Sequence, residues 1–240
     1  MLIRSVNCSS ARGGLLTAAA ALTLIWSALG PYTRSQEFYL RSTVPLVDAI
    51  HKRDLSEIQR LMRSGADLDA KDSRGATALL ESIAENLPAV PRQLVVAGAD
   101  PNLGDNQGMS PLMYASWYCK DDLVQLLLKH EARVNSTDAN GYTALMYAAS
   151  HCVDGKIVAL LLSSGASVNV RSRDGETALT LAAFNGDDQA VRELVSDGAD
   201  LNAKTSEGKT ALTWARDRVV GRKKSHDRIY QYLLARSKKR

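Results

Sequence analysis

Within Ser172–Lys204 the apolar residues fall into two short runs at helical spacing. Leu179, Ala182 and Ala183 make one stripe, and Ala190, Val191, Leu194 and Val195 make a second. Asn185-Gly186 breaks the pattern between them, so it predicts two short helices joined by a tight turn. Thr177 is placed to cap the first helix. Gly175 suits the turn before it, and Gly198 suits the left-handed residue that ends the second helix. The alanines of the first stripe let a neighbouring helix approach closely. The same pattern recurs at a period of about 33 residues, in register, over 39–71, 72–104, 105–137, 138–171, 172–204 and 205–240. A helix pair of this size cannot bury its apolar face alone, so the period predicts a stack of pairs sharing one continuous core.

The residues of this unit resemble the ankyrin repeat, whose pattern runs roughly D-x-x-G-x-T-P-L-H-x-A-A through to L-L-x-x-G-A-D-x-N-A. The resemblance covers about 200 of the 240 residues and holds through six copies. It implies an all-α ankyrin-repeat solenoid of about six helix-turn-helix repeats. It also implies a non-enzymatic module that binds partner proteins on a concave face built from loop tips and first helices. The expected organisation is a leader in 1–35, a linker and capping repeat in 36–71, four repeats in 72–204, and a C-terminal capping repeat with a basic tail in 205–240.

Some repeats depart from the pattern. In the first, Val44-Pro45-Leu46 opens a helix with proline in its first turn, and His51, Lys52, Arg53, Gln59 and Arg60 give the polar surface a terminal cap needs. Pro88 and Pro91 stand where the second helix of repeat two should begin, and Pro91 is expected to delay or tilt it. Glu131 replaces the helix-ending glycine of repeat three, at a cost of roughly 1 kcal/mol if it is left-handed. Repeat four carries one extra residue, somewhere in His151–Gly155.

Charge changes the picture at the two ends. Residues 1–41 carry +3 and residues 216–240 carry +8, which leaves −7 of the chain's +4 on 42–215. The repeat body is acidic, and its C-terminal end is basic through Arg222-Lys223-Lys224 and Lys238-Lys239-Arg240. That end reads as a solvated cap or as a patch for anionic headgroups or an acidic partner. Gly13–Gly30 is uncharged and largely apolar, preceded by Arg4 and Arg12 with no acidic residue before it. This is the layout of a signal peptide or a single membrane anchor. Its short, Ala- and Thr-rich run favours cleavage, while Pro31 after Ala28-Leu29-Gly30 opposes it, so both outcomes stay open. Either places the repeats outside the cytoplasm, periplasmic or secreted, or anchored in the inner membrane. A buried helix packed on the first repeat is the alternative without export.

No catalytic constellation is present in the sequence. Glu207-Gly208-Lys209-Thr210 ends like a phosphate-binding loop, but Ala203 stands where that loop needs glycine. His51, His130, His151 and His226 lack metal-ligand spacing and read as surface residues. The Asn135-Ser136-Thr137 sequon overlaps the asparagine that the repeat itself requires. No cofactor, metal or nucleic acid is expected. The expected partner is a protein, with the chain a monomer and the membrane touched only through an uncleaved leader.

What remains is a surface. Mapped onto the family's concave face, the tips and first helices offer Met109, Trp117 and Tyr118 in repeat three, Tyr142 and His151 in repeat four, and Arg173, Asp174, Glu176, Phe184 and Asn185 in repeat five. Seven of the thirteen aromatic residues lie on these helices or tips, and none of the seven is in repeats one or two. Tyr114, Tyr147 and Trp214 are expected to be core. Trp117, Tyr118, Tyr142 and Phe184 are expected to face solvent and take an apolar anchor from the partner. The role is then binding, inhibiting or protecting an envelope protein. The alternatives are a secreted effector acting on host proteins, or a membrane-anchored scaffold whose basic C-terminus meets lipid. Cys119 and Cys152 stand in the inter-helix turns of adjacent repeats. Stacked helices lie about 8–10 Å apart, beyond disulfide reach. Two separate thiols are therefore expected, with a bond as the alternative if the extra residue of repeat four moves Cys152 closer.

Overall fold

The computed structural model of the protein describes residues 44–219 and 224–238. The chain divides into Met1–Tyr39 and Leu40–Arg240. All described residues belong to the second unit, so the apolar leader and parts of the basic tail lie outside them.

Among the described residues there are twelve helices and no strands. In chain order they are α1 (Pro45–His51), α2 (Leu55–Arg63), α3 (Ala78–Ala84), α4 (Val90–Val96), α5 (Pro111–Trp117) and α6 (Asp121–Lys129). They continue as α7 (Ala144–His151), α8 (Lys156–Ser163), α9 (Ala178–Asn185), α10 (Asp188–Ser196), α11 (Ala211–Val219) and α12 (Lys224–Ser237). Odd-numbered helices pack side by side in one layer, even-numbered helices in the other, and each pair closes across the two. None of the twelve is long and apolar enough to cross a membrane.

Local chemistry sets each element. Thr77, Thr143 and Thr177 sit in extended backbone, and each hydroxyl accepts the N–H three residues on, so every one caps its helix as the pattern predicts. Ser110 does the same for α5. Pro45 stands in the first turn of α1. Pro91 shortens its helix: α4 starts at Val90 and runs seven residues, against nine for α6. Glu131 is left-handed, with φ 62°, as its place in the repeat requires.

The first-layer helices α3, α5, α7 and α9, each sandwiched between two neighbours, bury nearly everything. All seven residues of α5 are buried, as are Ala144–Ala149 of α7 and Ala178–Ala183 of α9. The second-layer helices bury one stripe, for example Ala190, Val191 and Leu194 of α10, while Val195 is half-buried at its margin. Each fully buried leucine, such as Leu127, Leu161 and Leu194, contributes on the order of 2 kcal/mol.

Two ladders of hydrogen bonds lock neighbouring repeats. Backbone bonds join the loop tips: Asn106 N donates to Arg74 O, Ala139 N to Gln107 O, Arg173 N to Asn140 O, and Ser206 N to Asp174 O. At the far end, Asn102, Asn135 and Asn169 each bridge to the following repeat. Asn135 donates from Nδ2 to Gly165 O at 3.0 Å and accepts from Ser167 N at 2.7 Å. The sequon asparagine therefore spends both amide atoms on the fold.

Candidate functional site

The tips and first helices form one continuous face, and the same position in five repeats defines its rungs: Glu81, Tyr114, Tyr147, Leu181 and Trp214. Each rung is matched to the residue nine positions earlier, at the base of its own tip. Tyr147 Oη donates to Asp138 Oδ2 at 2.6 Å, and Tyr114 Oη to Asp105 Oδ2 at 3.1 Å. The other oxygen of each aspartate accepts tip N–H groups, from Asn140 and Tyr142 in one case and Gln107 and Met109 in the other. One carboxylate thus shapes the tip and seats the ring beneath it. Where Ser172 replaces the aspartate, Leu181 replaces the tyrosine. In repeat two the rung is itself an acid, and Arg74 reconciles it with Asp72. The guanidinium lies 3.0 Å from Asp72 and 2.5 Å from Glu81, which also meets His51 Nε2 at 2.9 Å. Glu81 is buried, so removing its partners would leave an uncompensated charge.

Repeats three and four carry a group of packed rings. Trp117 stacks on His151 at 4.2 Å between centroids and meets Tyr147 at 5.0 Å. Tyr142 lies 5.4 Å from Tyr147, and Tyr118 lies 6.5 Å from Tyr114. A second pair closes repeats five and six, with Phe184 edge-on to Trp214 at 5.0 Å and Lys209 over the Trp214 ring at 3.9 Å. Tyr142 Oη donates to Glu176 across the repeat boundary. Burial, and then the Glu176 charge and hydrogen bond, holds the Tyr142 phenol far above its usual range. Burial and the Asp138 bond do the same for Tyr147. Glu176 is itself raised, first by burial and further by Asp174, with the Tyr142 bond working against the rise. Burial lowers His151, partly offset by the Tyr147 carbonyl, and its Nε2 has no hydrogen-bond partner.

The expected site residues separate on this face. Tyr118, Tyr142, His151, Phe184 and Asn185 are half-buried, and Arg173 and Asp174 are exposed. Trp117 and Met109 do not face solvent. They are only 8% and 4% exposed, and Trp117 at the end of α5 is covered by Tyr147 and His151 of α7. Asn185 is committed to structure, donating to Cys152 O at 2.9 Å. Tyr114 and Tyr147 are core, as expected, while Trp214 is half-buried. His226 is also not a surface residue. It is 1% exposed on α12, with Nε2 at 3.1 Å from Phe184 O and its ring against Gly186. The Glu81–Arg74–His51 network and the Lys209–Trp214 contact were missed. The register of Glu81 with Tyr114 and Tyr147 is the signal that could have found the first.

The two cysteines require a correction. Cys119 and Cys152 are joined by a disulfide, with Cα atoms 5.6 Å apart. The spacing of helix axes does not govern them, because both lie in turns beyond the helix ends. The turn of repeat four, 152–155, has one residue more than that of repeat three, 118–120, and carries Cys152 toward its neighbour.

A family model described as ankyrin repeats (3 copies) matches residues 46–138, 90–172 and 145–239. The chain belongs to the ankyrin-repeat family. Its repeats make it a protein–protein interaction module of a kind that is in general non-enzymatic. Comparison with curated proteins returns no match. Within this ankyrin array, no cluster of three or more His, Cys, Asp or Glu among the described residues is placed to hold a metal ion.

Proposed function

We propose that this ankyrin protein works outside the cytoplasm, taking a partner protein on the face of loop tips and first helices and binding, inhibiting or protecting it there. The observation that carries the reading is the aromatic concentration on that face. Tyr118, Tyr142, Phe184 and Trp214 are each half-buried on it, and Arg173 and Asp174 are exposed on the tip of repeat five. Half-open aromatics on a pre-ordered surface are typical anchors, since little conformational entropy is lost on docking. The disulfide supports an oxidising compartment, where such bonds persist. The apolar segment Gly13–Gly30 supports export.

Crosslinking of the tagged full chain in its source cells, followed by capture, tests this. Tyr118→Ala and Tyr142→Ala should each reduce recovery of the crosslinked partner at least tenfold. Arg92→Ala and Gln125→Ala, exposed on the second layer, should not. Equal losses from both sets would refute the face, and a reporter fused after residue 45 that stays cytoplasmic would refute the location.

A further inference from the structure

A shared turn position and one lengthened turn converge on one bond. The turn position that Gly186 fills in repeat five, with φ 85°, is filled in repeat three by Cys119, with φ 53°. The same position is left-handed at Arg53 and Asn86 of repeats one and two, with φ 55° and 54°, so the turn takes a residue with a Cβ there, at a cost that glycine avoids. In repeat four the matching residue is Cys152, and there the backbone is extended, with φ −89° and ψ 156°. The left-handed residue has moved to Gly155, with φ 64°, at the end of the lengthened turn. Only glycine fits at 155, because a Cβ would come 2.6 Å from Gln189 Cγ and 3.0 Å from Ala190 N. The inserted residue thus lets Cys152 turn back toward α5, where its sulfur lies 3.2 Å from Ser116 O. Cys119 holds a conformation better suited to glycine, and the lengthened turn supplies its partner.

The bond also closes the gap that the Trp117–His151 stack spans. Trp117 precedes Cys119 by two residues, and His151 immediately precedes Cys152. The two ends of the bond differ in access: Cys119 is exposed, whereas Cys152 is 4% exposed. We propose that Cys119–Cys152 is a redox-dependent lock on the aromatic group, opened by thiol–disulfide exchange at Cys119. A thiolate of a dithiol attacks Cys119 Sγ and forms a mixed disulfide. The electron pair of the broken bond passes to Cys152 Sγ, which takes up a proton. The second thiol of the reductant then attacks its own sulfur in the mixed disulfide and releases Cys119 as a thiol. The net change is one protein disulfide to two thiols and one dithiol to its disulfide. In the opened state Cys119 keeps its strained backbone without the bond, and the turns 118–120 and 152–155 separate.

The test uses the full chain in a Cys8→Ser background, oxidised or treated with dithiothreitol, and needs no partner. Thiol titration in denaturant should find no free thiol before reduction and two after it. Amide exchange in peptides covering 117–120 and 150–156 should quicken at least tenfold on reduction, with 78–96 unchanged. The thermal midpoint should fall by about 10 °C, as expected for a 33-residue separation in a domain of this size. Cys119→Ser and Cys152→Ser should both match the reduced protein and ignore dithiothreitol. Cys119→Gly, which removes strain and bond together, should recover part of the midpoint but not the slow exchange. Glutathione, a monothiol, should leave its adduct on Cys119. Two free thiols at the outset, identical exchange in both redox states, or an adduct confined to Cys152 would overturn the proposal.

Discussion

Replacing Trp117 by alanine should cost stability before it costs binding. The indole is 92% removed from solvent, wedged between Tyr147 at 5.0 Å and His151 at 4.2 Å. An aromatic side chain of this size buries about 150–250 Å². At roughly 25 cal/mol per Å² that is about 4–6 kcal/mol, an upper figure because the unfolded chain already hides some of it. Aromatic-to-alanine changes in cores cost about 3–5 kcal/mol. The site borders a turn and can partly collapse, so about 3 kcal/mol is expected. Urea unfolding followed by far-UV circular dichroism reads this without relying on tryptophan emission. Because each repeat contacts only its neighbours, such a loss between repeats three and four can also uncouple the two halves of the stack, which a lower m-value would reveal. Tyr118→Ala, at a half-buried ring, is the comparison and should cost about 1 kcal/mol. If Trp117→Ala costs under about 1 kcal/mol, or no more than Tyr118→Ala, the clamped indole described above is wrong. It follows that loss of capture by Trp117→Ala alone would not identify a binding residue.

Asn135→Ala removes both atoms that bridge repeats three and four, and should cost about 1–3 kcal/mol in the same urea assay. A loss under about 0.5 kcal/mol would show that water replaces the bridge. His151 is held below its ordinary value near 6.5 by burial, so the unfolded chain takes up the proton first. Its contribution is constant above about pH 6.5 and turns against folding as pH falls below it. Thermal midpoints of His151→Asn should therefore fall less steeply than those of the parent between pH 6.5 and 5, and parallel curves would refute this. Gly186→Asn should loosen α12: asparagine accepts the left-handed turn, as Asn86 does at φ 54°, but its Cβ would come 2.5 Å from His226 Cε1. Amide exchange in peptides covering 225–236 should then quicken severalfold, and unchanged exchange would mean that the His226 contact does not hold the helix.

The repeat itself was legible in the sequence because its physics is local. Turn glycines, a hydroxyl cap and two apolar stripes specify each helix pair, and Thr143, Thr177, Gly175 and Gly198 perform the roles their positions announce. The left-handed backbone at Glu131 and the late start of the second helix at Val90, with Pro91 in its first turn, followed from single-residue backbone limits. The face was legible only as a set of positions. Which rings stay open was decided by neighbouring repeats: Trp117 is closed by α7, one repeat away in sequence, while Tyr118 next to it stays half-open. His226 shows the same limit, because its burial depends on Gly186, forty residues earlier and lacking a side chain to exclude the ring. The disulfide shows it most plainly. Two cysteines 33 residues apart fixed only that they share a register position. Helix-axis spacing argued against a bond, yet the outcome was set by turn backbone, left-handed at Cys119 and extended at Cys152, where one inserted residue shifts a side chain across a repeat boundary. Local propensity fixes elements and their order; distances between side chains on different elements follow from packing, which only the folded chain determines.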